Sequence, residues 1–202
     1  MLKQNLIDGV LAGTMIAIGG SVLLSCDNRY LGAGLFTIAL LSICLFGFNL
    51  YTGKVGFLVK DHSENDLKTT FGGLHGNCLG TLVMGLLLSA ALPKLHKAAI
   101  GACLNRLTQT CMQTLIRGFF CGILMYTAVW IYREKGRIVG ILFCVPVFIL
   151  AGFEHSIADM FYFSIARLFN TSSLFFLLLV LLGNSLGGMF IPLMQVWKGA
   201  KT

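Results

Sequence analysis

Charged side chains are scarce in this sequence. Fifteen Lys and Arg and eight Asp and Glu make up 11% of 202 residues, against about 25% in an ordinary soluble domain. With 56% hydrophobic residues and a mean hydropathy of +0.84, that scarcity excludes a soluble globular class and indicates a membrane protein. Acidic residues are the rarer sign, which leaves a net charge of +7. No basic-aromatic surface stretch accompanies the excess, so it is not a nucleic-acid footprint; basic residues here set membrane orientation. No CxxC pair occurs among the seven cysteines, most of which lie inside apolar runs. Neither a disulfide framework nor a zinc site is therefore indicated. No A-x-A-like cleavage site follows the first apolar stretch, which reads as a retained helix. No G-x-S-x-G is present, and Ser156 beside His155 on a helix cannot face it, which argues against a membrane hydrolase.

What is abundant is apolar sequence in lengths that cross a bilayer as helix, about 20 residues each. Six windows qualify, near 5–26, 30–52, 72–92, 109–132, 138–166 and 172–197. With the N-terminus inside, the inner segments carry Lys3, Lys54, Lys60, Lys68, Arg133, Lys135, Arg137, Lys198 and Lys201. The outer segments carry only Arg29, Lys94, Lys97, Arg106 and Arg167. That bias places both termini in the cytoplasm.

The chain also repeats itself. Gly76-Asn77-Cys78-Leu79-Gly80 in the third window matches Gly183-Asn184-Ser185-Leu186-Gly187 in the sixth, and Gly47-Phe48-Asn49 matches Gly152-Phe153-Glu154. Both matches have nearly one offset. The unit is three spans long, so a second copy enters the membrane upside down, the inverted-repeat plan of many transport proteins. The chain reads as one channel domain, 1–202, with repeats near 1–95 and 105–202.

Two of the helices should be broken. The fifth window runs about 31 residues from Gly136 to Ala166, about 46 Å as continuous helix against a core of about 30 Å. Gly152 lies mid-run, and Glu154, His155 and Asp159 follow at once. An ionised group near the bilayer centre costs about 3 kcal/mol, so three polar residues there point to function. The matching stretch of the first copy is FGFNLYTGKVGFLVK, in which Gly47 and Gly53 bracket a second expected break. Irregular backbone at this depth survives only against protein or a water-filled cavity.

These residues also carry a resemblance. GFEHSIADMF resembles the GFEHSxANMF signature of the formate/nitrite transporter family, pentameric channels for small monovalent anions. NLYTGK resembles the family's ELFTGN loop, and GNCLG and GNSLGG its third- and sixth-span motifs. RGFFCGILMYTAVW resembles its RGILCNWLVCLAVW segment. The resemblance covers nearly the whole chain and implies an all-α, six-span pore in each protomer of a homopentamer of the bacterial inner membrane. No cofactor is implied. Carried over by motif, His155 is the pore histidine, Thr52 faces it, and Asn184 lies beside the pore. Phe36 and Phe148 form the outer constriction, and Leu40, Tyr51 and Met125 the inner one. Glu154, with Asn49 at the equivalent point of the first copy, braces the loops. Arg106 takes the place of a vestibule lysine. Asp159 replaces the usual Asn, Gly122 replaces a fourth-span Asn, and Asn49 a Glu.

The implied substrates are small anions or their conjugate acids: formate and nitrite first, then hydrosulfide, acetate and lactate. Obligate proton symport and passage of a small neutral solute are the alternatives within transport. Outside it, His75 and His155 would be the axial pair of a haem carrier. An unperturbed histidine changes charge near neutral pH, and apolar constrictions oppose a bare ion. His155 therefore supplies either a proton or a hydrogen bond and a positive field. Asp159, four residues on, is expected either to pair with His155 or to point away from the lumen. Glu154 is expected to accept backbone N–H bonds at the unwound loop. Arg106 reads as a vestibule cation or as an interfacial anchor.

Overall fold

The computed structural model describes residues 2–199. Lys201, counted above among the inner cations, lies outside them. Among the described residues the chain forms nine α-helices, one 3-10 turn and no strand. They are α1 (Leu2–Ser25), α2 (Arg29–Phe46), α3 (Tyr51–Lys54), a turn at Val55–Val59, α4 (Glu64–Ala91), α5 (Pro93–Leu107), α6 (Cys111–Lys135), α7 (Val139–Ala151), α8 (Ser156–Ala166) and α9 (Thr171–Trp197). Helices α1, α2, α4, α6 and α9 are each long and apolar enough to span a membrane. Helices α7 and α8, bent by 56° across a short break, are together long and apolar enough to count as a sixth.

Local chemistry sets the boundaries. Asn28, Ser63, Thr110 and Asn170 precede α2, α4, α6 and α9, and each side chain accepts a first-turn backbone N–H. Ser63 with Asp66, and Thr110 with Gln113, form reciprocal capping boxes. Gly47 ends α2 at φ 73° and Gly152 ends α7 at φ 76°. Both lie in the left-handed region that a side chain disfavours, so the two breaks occur where glycine permits them.

Helix α1 packs along α4, α6 along α9, and α2 against α7. The first two pairs are close because glycines line both seams. A Cβ on Gly76 would lie 2.3 Å from the Leu6 carbonyl oxygen, and one on Gly183 would lie 2.6 Å from that of Leu115. The same holds one turn on, with Gly80 against Val10 and Gly187 against Phe119. Small residues let backbones approach where apolar burial cannot drive helices together. The fold is thus an all-helical bundle of up to six spans, in which the fifth is bent at a break and the two glycine-seamed helix pairs are built alike.

Three expectations need correction, and one helix is new. The second span stops at Phe46, not near 52, and its continuation is the short α3 and the 3-10 turn. Gly53 does not break a helix: it lies inside α3, where a Cβ would touch Val129. The third span begins at Glu64, two turns before the apolar window, because the Ser63 box starts a helix in polar sequence. The stretch after it is α5, entered through Pro93 in the first turn, a position that lacks an intrahelical N–H partner anyway.

The seam predicts a steep contrast between glycines. A Cβ on Gly187 would lie 1.8 Å from the Phe119 carbonyl oxygen, whereas nothing lies within 4 Å of one on Gly34. Gly187→Val is expected to lower stability by about 3 kcal/mol or more through overpacking, and Gly34→Ala to change it little. Thermal unfolding of the purified protein in detergent checks both.

Candidate functional site

A broken span frees backbone groups that no water reaches in a bilayer, so each break needs a partner from elsewhere in the chain. Two buried asparagines provide them. Asn77 on α4 donates through Nδ2 to the carbonyls of Gly9 (2.9 Å) and Asn49 (2.8 Å), and its Oδ1 accepts the Tyr51 N–H (2.9 Å). Asn184 on α9 donates to the carbonyls of Gly118 (2.9 Å) and Glu154 (2.9 Å), and accepts the Ser156 N–H (2.8 Å). Every partner of one asparagine is the repeat counterpart of a partner of the other. Each ties one helix break to the glycine seam of its own unit. Arg29 adds a tie at the second break, donating to the Ile149 carbonyl at 2.9 Å.

Between the two breaks lies His155, 3% exposed. It is the N-cap of α8, and its Nδ1 accepts the Ala158 N–H at 3.1 Å. Nδ1 is therefore an acceptor, and the hydrogen-bond network puts the ring proton on Nε2. Nε2 lies 2.9 Å from Oγ1 of Thr52, a fully buried hydroxyl on α3. The structure thus brings the broken loops together through one side chain from each. With both nitrogens engaged, His155 has none to offer a haem, and His75 is bonded to the Phe71 carbonyl on an exposed face of α4.

Apolar side chains adjoin this pair. The Phe148 ring stacks on His155 with centroids 5.6 Å apart, and Phe36 meets Phe148 edge-on at 6.1 Å. Leu40, Tyr51 and Met125 are all buried, and the Tyr51 hydroxyl is 2.9 Å from Ser185 Oγ. A cavity of about 410 Å³ is lined by Phe148, His155, Arg29, Arg106 and Arg117 with both nearby carboxylates. A second, of about 290 Å³, is lined by Leu40, Leu50, Gly53, Lys54, Asp61 and Arg133. The first is bordered by an expected outer-constriction residue and the second by an expected inner one.

The acidic residues do not behave as the sequence suggested. Asp159 does not pair with His155, so that expected pair does not form, and it borders the first cavity. Its Oδ1 instead accepts from Arg106 Nε at 3.0 Å. The i,i+4 argument fails because His155 precedes the helix and turns its ring onto the α8 N-terminus. Among the described residues Glu154 accepts no backbone N–H: Oε2 accepts from Arg106 Nε at 3.0 Å and Oε1 from Gln109 Nε2 at 2.6 Å. Arg117 approaches Oε1 at 3.9 Å. Arg106 is no interfacial anchor either. It sits on α5, its guanidinium over the Tyr162 ring at 4.8 Å, and lines the cavity while holding both acids. Asn49 braces its loop through its carbonyl, and its side chain donates to Asn5 Oδ1 at 3.3 Å and accepts from Lys54 Nζ. Gln109, Tyr162 and Arg29 were not singled out from sequence. Their signal, adjacency to a break or an ion cluster, exists only in three dimensions.

The family model described as formate/nitrite transporter matches residues 2–198. The chain belongs to the formate/nitrite transporter family. It is 26% identical over 220 residues to the nitrite transporter NirC of Escherichia coli K12, covering 95% of this chain and 81% of that one. It is 27% identical over 183 residues to transporter YwcJ of Bacillus subtilis, covering 79% and 72%. Among solved structures, a pentameric formate channel with formate bound aligns at TM-score 0.77 and 23% identity, over 98% of this chain and 96% of that one. An ion channel of the family aligns at TM-score 0.83 and 24% identity, over 99% and 90%. At those identities the structures show the fold. One departure from the family pattern has a packing reason here: a Cβ on Gly122 would lie 2.2 Å from the Asn184 carbonyl oxygen, so the α6–α9 seam admits no Asn.

The paired asparagines carry a prediction of their own. Asn77→Ala and Asn184→Ala each strip partners from three buried backbone groups, at about 1–3 kcal/mol per unsatisfied group. Each is expected to lower the unfolding temperature in detergent markedly and by comparable amounts. A surface substitution such as Asn105→Ala should leave it unchanged.

Proposed function

We propose that the chain is a channel for small monovalent anions or their conjugate acids, with its pore running through the protomer past Thr52 and His155. The observation that carries this reading is the 2.9 Å contact between Thr52 Oγ1 and His155 Nε2. It joins the two broken loops between two cavities, with apolar residues bordering both. Nitrite is the solute named for the NirC relatives and formate the one bound in a structural neighbour; these lead, with hydrosulfide, acetate and lactate as further candidates. Family membership supports a transport role and no enzymatic one.

A bare anion would have to shed its water beside the Phe36–Phe148 contact, at a cost of several kcal/mol. The conjugate acid avoids most of that cost. It meets the Thr52 hydroxyl, whose oxygen accepts the His155 Nε2–H and whose own O–H is thereby turned outward to replace a lost water contact. Asn184 acts beside the pore by holding Ser156 and Glu154 in place. Phe36 and Phe148 form one constriction and Leu40, Tyr51 and Met125 the other. The whole chain is one channel domain, with repeats near 1–95 and 105–202, assembled as a homopentamer in a bacterial inner membrane with both termini cytoplasmic. The pentameric neighbour and the apolar exterior, with residues such as Phe143, Leu174 and Trp197 exposed, support that assembly.

Uptake into proteoliposomes between pH 5 and 8 tests the reading, with formate, nitrite and hydrosulfide compared. Flux is expected to rise as pH falls, because the conjugate acid becomes more abundant. His155→Ala should alter flux sharply. Thr52→Val, which deletes one hydrogen bond worth about 1 kcal/mol, should lower it several-fold. Folded pentamer that passes none of these solutes would sink the reading.

A further inference from the structure

The cluster beside His155 is unbalanced. Arg106 Nε donates to Glu154 Oε2 and to Asp159 Oδ1, both at 3.0 Å, so two carboxylates stand side by side on one guanidinium N–H. Glu154 has further donors in Gln109 and, at longer range, Arg117. Asp159 has none: its Oδ2 is buried without a hydrogen-bond partner among the described residues. The side chain is 1% exposed, yet it borders the same cavity as His155. An unpaired ionised oxygen in such a place costs far more than a protonated one, and two adjacent carboxylates resist ionising together.

We propose that Glu154 and Asp159 form the proton-loading site of the channel, holding one proton that Asp159 Oδ2 gives to a small monovalent anion in the Arg106-lined cavity. The step balances simply. The O–H bond of the carboxyl breaks, an O–H bond forms on the anion, and the solute moves on to His155 as its neutral acid. Both carboxylates are then ionised against Arg106, and a hydronium ion reaching the cavity from bulk solvent reloads the pair and leaves as water. His155 is poorly placed for this task. Its Nδ1 already accepts the Ala158 N–H, and its one N–H is held by Thr52. The other titratable or charged groups around Asp159 are Cys103 beside Arg106 on α5, Cys121 with Arg117 on α6, and Tyr162 on its own helix. Arg29 borders the same cavity. The cations Arg29 and Arg117 draw an anion in, and the acid pair discharges it before it reaches Phe148.

This inference rests on the channel reading above, and two measurements separate their fates. The first needs no transport. Infrared spectra of the purified wild-type protein at pH 7 should show the C=O stretch of a buried protonated carboxyl, shifted in deuterium oxide and lost in Asp159→Asn. The other six acidic residues lie outside the buried set, so the band comes from the Glu154–Asp159 pair. Absence of the band, or its persistence in Asp159→Asn, overturns the proposal. The second is formate uptake by Asp159→Asn across pH 5 to 8. Uptake at pH 7 should fall about tenfold and recover towards wild type at pH 5, where free formic acid supplies its own proton. A variant with the wild-type pH profile overturns the proposal and leaves the channel reading standing. Folded wild type without flux overturns the channel reading itself.

Discussion

Everything in this structure depends on satisfying backbone groups freed where two helices break inside an apolar medium. A helix that crosses a bilayer unbroken needs no outside partner; one that stops halfway exposes donors and acceptors that lipid cannot meet. Asn77 and Asn184 resolve this with three hydrogen bonds each, to matching partners in the two units. Because each asparagine also holds a carbonyl on the glycine seam, the break is fixed to a rigid helix pair. That fixity places Thr52 and His155 within hydrogen-bond distance.

The glycine seams and the site are therefore one design. Close approach of α1 to α4 and of α6 to α9 brings Gly9 and Gly118 within reach of the asparagines. It also forbids side chains at Gly122 and Gly187. Loosening either seam would move a loop before it disturbed the chemistry. The polar groups sit in a shell of buried apolar residues, so each hydrogen bond acts in a low-dielectric setting where its loss is costly.

The two cavities meet that rigid centre with different chemistry, although the units that form them are related. At one end the loop carries Glu154 and Asp159 against Arg106, and at the other Asn49 and Lys54 bonded to each other. Offset by the repeat, Glu154 corresponds to Asn49 and Asp159 to Lys54. The backbone geometry has stayed symmetric because both asparagine ties demand it. The side chains facing the cavities are free of that demand and have diverged.

Much was legible from the residues alone. Hydropathy set the six spans, since lipid selects apolar length directly, and the recurring Gly-Asn-x-Leu-Gly motif revealed the repeat. Gly152 followed by polar residues marked one break, and the signature around His155 marked the family. The tertiary structure decided what local spacing cannot. Helix α5 is too polar to register as a span, yet it delivers Arg106 from about 50 residues away to Glu154 and Asp159. His155 and Asp159 are four apart, but the imidazole caps its helix and faces Thr52, so the expected pair never forms. Sequence fixes which residues must leave lipid and where a helix can break. Which side chains then meet depends on the packing of distant helices, because a buried backbone group freed at a break takes the partner that the fold brings within hydrogen-bond distance.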